Sequence, residues 1–206
     1  MIDTAFLITS FVTLFVIVDP IGLTPIFIAL TQGLPPARRR SIALRATVTA
    51  AILLAVFAAM GEAVLGFIGI SMPAFRVAGG VLLFLTALDM LFERRNKRRE
   101  DRSEEDDFDD PSIFPMAIPL IAGPGSIATV ILLSGQQPGF TGFAMVMGVV
   151  IAVLAILLVM CLFSGLFERL LGKTGITVVT RLLGMLLAAL SVQFVLDGLR
   201  AFGFAG

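Results

Sequence analysis

Apolar residues in this chain run on without a break for the length of a membrane span, and the polar positions gather in the gaps between runs. A helix needs about 20 predominantly apolar residues to cross roughly 30 Å of hydrocarbon. Six segments are predicted to do so: 6–30, 43–67, 74–92, 113–133, 140–162 and 178–201. The fourth begins with Pro115 and Pro119 and carries Gly123-Pro124-Gly125 in its middle, so it is the least regular of them as a helix. Segment 6–30 has no basic flank, with Asp3 where a signal peptide carries Lys or Arg, and is longer than a signal-peptide core. It is expected to remain as the first span.

Composition agrees with the pattern. Of 206 residues, 58% are hydrophobic and 15% charged, against about 25% charged in an ordinary soluble domain; the mean hydropathy is +1.02. This is the composition of a polytopic membrane protein whose first partner is the lipid bilayer. Lys+Arg and Asp+Glu are both 15, giving a formal net charge of +0, and no nucleic-acid footprint is present. Histidine is absent, which removes imidazole metal ligands, His general bases and Ser/His/Asp triads. The lone Cys161 forms no internal disulfide or Cys-rich metal site and reads as a small buried hydrophobe. No cofactor, metal or catalytic residue is expected, and the chain does not read as an enzyme. Trp and Tyr are also missing, so interfacial anchoring falls to Phe and Arg.

Lys and Arg in short loops set orientation. The first connection carries Arg38, Arg39, Arg40 and Arg45, the third Arg94, Arg95, Lys97, Arg98, Arg99 and Arg102, and the fifth Arg169 and Lys173, whereas the second and fourth are bare. Loops one, three and five are therefore expected in the cytoplasm and both termini outside. Residues 93–112 change from basic to acidic and read as a charged cytoplasmic linker, either a solvated connection or a partner-binding segment. It separates residues 1–92 from 113–206, each holding three spans, within one membrane domain.

Three spans per half is an odd number, so the halves enter the membrane in opposite senses. They also echo one another. Asp19-Pro20-Ile21-Gly22 lies mid-span and is followed by Thr24 and Gln32, while Gly123-Pro124-Gly125-Ser126 is followed by Thr129 and Gln136. Pro20 to Gln32 and Pro124 to Gln136 are both twelve residues. The predicted fold is thus all-α, six transmembrane helices as two inverted three-helix repeats, with helices one and four broken at the Pro/Gly motifs. Proline removes a helical donor, and glycine admits backbone angles closed to other residues. In hydrocarbon the freed groups must be satisfied by protein, water or ligand, and secondary transporters build substrate sites from such broken helices. Free amides suit a carboxylate, and carbonyl ends suit an ammonium or a cation. The alternative is kinked helices that only pack closely.

Asp19 is the sharpest candidate, since an acid at mid-span needs a cavity, a partner or water. It either receives an ammonium, proton or cation, or accepts hydrogen bonds from amides exposed at the kink in the other half. Pro20, Gly22, Gly123, Pro124 and Gly125 form the breaks, and Thr24, Ser126 and Thr129 are candidates for the lining, with Ser191 and Gln193. About half of these hydroxyls are expected to bond back to their own helix. Glu62 belongs either to the outer interface or to a proton route, Asp89 lies near the cytoplasmic end of its span, and Gly79, Gly80, Gly148 and Gly184 read as close helix contacts.

Asp19-Pro20-Ile21-Gly22 with Pro25-Ile26-Phe27, Gly69-Ile70-Ser71 with Phe75 and Ala78-Gly79-Gly80, and Pro119-Leu120 with the stretch from Ala122 to Thr129 resemble the MarC family of multi-pass inner-membrane proteins. The family typically has Asn before the Pro-Ile-Gly; here Asp19 places a titratable group. The resemblance implies the cell inner membrane as location. One branch of the family is described as small neutral amino acid transporters, and the family is distantly similar to LysE-type exporters. Residues and resemblance together lead to a secondary transporter of small polar solutes, possible substrates being zwitterionic neutral amino acids, coupled to protons or sodium. The competing reading is a non-transporting regulatory or assembly factor acting through the charged linker.

Overall fold

The computed structural model describes residues 4–92, 110–137 and 139–203, and the protein is all-α throughout these. In chain order the helices are α1 (Thr4–Val18), α2 (Pro20–Leu30), α3 (Pro36–Ile68), α4 (Met72–Leu91), the irregular α5 (Ser112–Ile121), α6 (Pro124–Gln136), α7 (Phe140–Leu162) and α8 (Ser164–Ala201). Among the described residues five helices are long and apolar enough to cross a membrane, counting α1 and α2 as one, or six if α5 and α6, bent by 56°, form a single span. Large apolar side chains such as Ile8, Ile52, Leu85, Ile151 and Leu182 face outward on these helices, as they must where the solvent is acyl chain rather than water.

Sequence punctuation explains the boundaries. Proline stands in the first turn of α2, α3, α4 and α6, where the missing amide costs no helical bond. Gly69, with φ 84°, ends α3 in the left-handed cap that glycine favours. The 33 residues of α3 span about 50 Å, more than the hydrocarbon needs. Its first turns, with Arg38, Arg39, Arg40 and Arg45, therefore extend beyond the apolar stretch that hydropathy detects. Gly172, at φ 61° and ψ 171°, breaks α8, and its apolar spanning part is Thr174–Ala201. Most of the predicted 93–112 linker lies outside the described residues. At its end Asp110 accepts from the Ser112 amide at 3.0 Å and pairs with Arg45 at 2.9 Å. The Ser112 hydroxyl and amide, with Arg45, hold the Asp110 carboxyl below the usual carboxylate range.

Packing runs mainly between the two halves of the chain. α1 and α2 lie on α7, and α5 and α6 lie on α3; α2 meets α8, and α6 meets α4; α3 pairs with α7, and α4 with α8. One buried cluster is built around Leu14, Phe27, Leu54, Ile121, Val150 and Leu157, the other around Ile17, Leu83, Met90, Leu132 and Leu187.

The α4–α8 pair is the most extensive and runs antiparallel, with glycines where the backbones approach. A Cβ on Gly80 would lie 2.8 Å from the Ser191 carbonyl oxygen, and one on Gly198 would lie 2.9 Å from that of Pro73. Gly184 is similarly close, 3.0 Å from Met90 Cβ. Gly148 differs from the close contact its sequence suggested. Nothing lies within 4 Å of its missing Cβ, because it opens on a groove between α1 and α7 instead. Gly80→Leu and Gly198→Leu are thus expected to destabilise the protein by about 1–3 kcal/mol, seen as a lower midpoint of thermal unfolding in detergent. Gly148→Ala should leave that midpoint unchanged or slightly raised, since an exposed helical glycine gives up about 1 kcal/mol to alanine.

Candidate functional site

The first break is a single residue. Asp19 adopts φ 54° and ψ 64°, in the left-handed region, while its amide still donates to Phe15 and its carbonyl accepts from Leu23. Asp and Asn are the side-chain-bearing residues that tolerate this conformation best. The fully buried Asp19 is also the N-cap of α2, its Oδ1 accepting from the Gly22 amide at 3.0 Å. Gly22 is required for this closure, because a Cβ there would collide with the Asp19 carboxylate. Pro20 occupies the first helical position. The four residues Asp-Pro-Ile-Gly thus form one capped turn, and the amide at Gly22 is taken by its own half of the chain.

The second break is longer. In α5 the Met116 amide reaches back to Pro111 at 3.2 Å and the Ala122 amide to Ala117 at 2.8 Å, five residues each, and Phe114 and Ile118 are extended. Pro115 and Pro119 deny the segment two donors. Gly123 follows, where a Cβ would lie 2.5 Å from the Pro119 carbonyl oxygen, and Pro124 then starts α6 without any side-chain cap. Ser126 spans the break by donating from its hydroxyl to Ile121 at 2.8 Å.

The two breaks adjoin. A Cβ on Gly125 would sit 3.3 Å from Cγ2 of Ile17, two residues before Asp19. The last turn of α1, which ends in carbonyls, therefore lies against the first turn of α6, which begins in amides. A negative and a positive helix end meet there.

The remaining candidates are placed as follows. The Thr24 hydroxyl donates back to Pro20 at 2.9 Å and that of Ser191 to Ala188 at 2.7 Å, so both are satisfied by their own helix. Thr129 is fully buried, and its hydroxyl has no hydrogen-bond partner among the described residues. Glu62 is exposed on α3, and Asp89 is half-buried near the end of α4. Gln193 is exposed and donates to Asp197 at 2.7 Å, one turn along α8. No group of three or more Asp, Glu, Cys or His able to hold a metal occurs among the described residues.

Two residues that sequence reasoning passed over belong with Thr129. Ser10 and Thr13 are buried on α1, and neither hydroxyl has a hydrogen-bond partner among the described residues. The hydroxyls of Ser134 and Thr180 share this lack, whereas Thr24, Thr31, Thr47 and Thr86 return their hydroxyls to the carbonyl one turn back. Helical spacing puts Ser10, Thr13 and Ile17 on one face of α1, and Gly125 and Thr129 on one face of α6. The Ile17–Gly125 approach brings the ends of those faces together, and α1 packs on α6. The spacing of Ser10, Thr13 and Ile17 was visible in the sequence, but a hydroxyl that bonds back looks identical there to one that does not.

The capped turn has a direct test. Asp19→Asn keeps an acceptor oxygen and a side chain suited to the left-handed conformation, so its thermal midpoint in detergent should stay close to that of the parent. Asp19→Ala loses the cap, about 1 kcal/mol, and meets left-handed strain of about 1–2 kcal/mol. It should unfold at a clearly lower temperature.

Comparison with known proteins places this architecture. The model of the MarC family integral membrane proteins matches residues 4–202. A UPF0056 membrane protein of Archaeoglobus fulgidus is 37% identical over 197 residues, covering 95% of this chain and 92% of that one. The UPF0056 membrane protein YvbG of Bacillus subtilis is 36% identical over 200 residues, with 95% of each chain covered. The UPF0056 inner membrane protein YhgN of Escherichia coli K12 is 36% identical over 200 residues, covering 94% of this chain and 96% of that one. No solved structure matches the chain. With a family model covering nearly its whole length, with relatives aligned end to end and with its apolar helices, the chain belongs to the MarC (UPF0056) family of multi-pass integral membrane proteins.

Proposed function

We propose that this protein is a secondary carrier for a small zwitterionic solute, a neutral amino acid being the best fit, with flux coupled to protons or sodium. The observation that carries the reading is the approach of Ile17 to Gly125, which joins the carbonyl end of α1 to the uncapped amide end of α6. Opposed half-helix ends offer complementary partial charges, amides for a carboxylate and carbonyls for an ammonium or a cation. A zwitterion bridges both. Asp19 places its carboxyl at the first break, while the Gly22 amide serves its own cap, so in this reading the α6 end takes the solute carboxylate. Thr129, Ser10 and Thr13 offer hydroxyls to water or to the solute along the α1–α6 seam.

Alternating access in this reading comes from two inverted three-helix repeats, 1–92 and 113–206, with both termini extracytoplasmic. The packing supports it, because exchanging the halves turns the contacts of α1 and α2 with α7 into those of α5 and α6 with α3. The same exchange turns α2 on α8 into α6 on α4 and leaves the α3–α7 and α4–α8 pairs as they are. Basic first, third and fifth connections support the orientation. Rocking one repeat on the other would open the adjoining breaks to each side in turn.

Purified protein in proteoliposomes should take up labelled glycine or alanine saturably, driven by an imposed proton or sodium gradient. Asp19→Asn should fold and bind yet lose its response to the gradient or shift its pH profile; an unchanged profile rules out a protonatable role for Asp19. Absence of flux from folded protein removes amino acid transport. Thr129→Val should raise KM severalfold with kcat little changed, as expected when a hydrogen bond worth about 1 kcal/mol is lost from solute binding. Equal KM values would take Thr129 out of the site.

A further inference from the structure

A polar cavity lies at the other end of α2 from Asp19, where α3 and α8 begin and α7 ends. Its volume is about 150 Å³, and Phe27, Arg39, Arg40, Cys161, Ser164 and Gly165 line it. Arg39 is half-buried and held from two sides. Its Nη2 donates to the Ser164 hydroxyl oxygen at 3.1 Å, and its guanidinium carbon stands 5.8 Å from the centre of the Phe27 ring. A stacked guanidinium keeps its remaining N–H groups available in a fixed fork. Arg40 is exposed beside it. Among the described residues neither arginine has a carboxylate within ion-pair distance. The start of α8 has no side-chain cap, and its Leu166 amide is taken by the Phe163 carbonyl at 2.9 Å. Two cations thus meet at a cavity with no counter-charge among the described side chains, and planar guanidinium forks match phosphate oxygens.

The depth of the cavity selects the carrier of that phosphate. Arg39 and Arg40 stand on the first turns of α3, just outside its apolar stretch, which is the level of lipid phosphates. Beside them Leu162, Phe163, Leu166 and Leu170 expose large apolar side chains, a surface suited to acyl chains continuing from a headgroup. Basic pockets between helices at this level are a known physical solution for anionic headgroups. We propose that this pocket binds the anionic phosphodiester headgroup of a phospholipid in the leaflet where α3 begins, with Arg39 as the principal contact and Arg40 as its second charge.

The test compares the full chain, purified in neutral detergent, with Arg39→Gln, Arg40→Gln and the control Arg200→Gln at the far end of α8. Each is titrated with phosphatidylglycerol, phosphatidylcholine or inorganic phosphate. Thermal unfolding is followed, and bound lipids are counted by native mass spectrometry. The parent and Arg200→Gln should be stabilised by phosphatidylglycerol more than by phosphatidylcholine and should retain one lipid that Arg39→Gln loses. Arg40→Gln, which disturbs no contact within the protein, should bind about tenfold more weakly, the loss of one charge-assisted hydrogen bond. It reads the site even where Arg39→Gln fails to fold. Stabilisation by inorganic phosphate alone, lost in the arginine variants, would overturn the lipid assignment in favour of a soluble phosphate compound. Equal lipid retention and equal stabilisation in all four proteins would overturn the site.

Discussion

Every backbone N–H and C=O placed in hydrocarbon must find a partner inside the protein, and the form of this molecule follows from how it meets that demand. Unbroken helices such as α3 and α7 meet it automatically along their spans. The two interrupted spans do not. At the first, Asp19 supplies a cap from its own side chain and confines the disturbance to one left-handed residue. At the second, two prolines spread the disturbance over a whole segment, and the Ser126 hydroxyl returns only part of what is lost, at Ile121. One break is closed on itself and the other stays open at the start of α6. That difference gives the proposed site its polarity.

The surrounding helices hold the breaks in register. α4 and α8 approach closely enough at Gly80, Gly184 and Gly198 that their backbones touch through little side-chain matter. Association in lipid depends on this kind of contact, because apolar side chains gain little by leaving acyl chains for each other. Side chains of the same pair, Leu83 and Leu187, join Ile17 and Leu132 in one buried cluster. The tight pair is therefore connected to both interrupted spans near the point where they meet.

Much of this was legible in the sequence, and the exceptions have physical causes. The span 140–162 coincides with α7, because an uncharged, predominantly apolar run flanked by Gly139 and Phe163 leaves no other solution. The start of α3 lay earlier than hydropathy indicated, since Arg38, Arg39 and Arg40 are good helix formers that an apolar count cannot see. Pro20 and Pro124 marked both interruptions. Two facts about the breaks needed three dimensions: that Asp19 spends one oxygen on Gly22, and that Ile17 meets Gly125 across the chain. Burial of a hydroxyl can be guessed from its apolar neighbours, but whether it turns back to its helix depends on a rotamer. Ser10 and Thr13 therefore escaped notice while Thr24, which bonds to Pro20, drew it.

The left-handed turn at residue 19 also shapes how such a protein can diverge. Three residues fit that backbone well: Asp, Asn and Gly. In the genetic code a single base change converts an Asp codon into one for either of the other two. A lineage can therefore exchange a charged group for a neutral amide, or for no side chain, without passing through an unfolded intermediate. Shape at this position is fixed while side-chain chemistry is free to drift, so descendants of one fold can change the group they bury at mid-span by the smallest mutational step available.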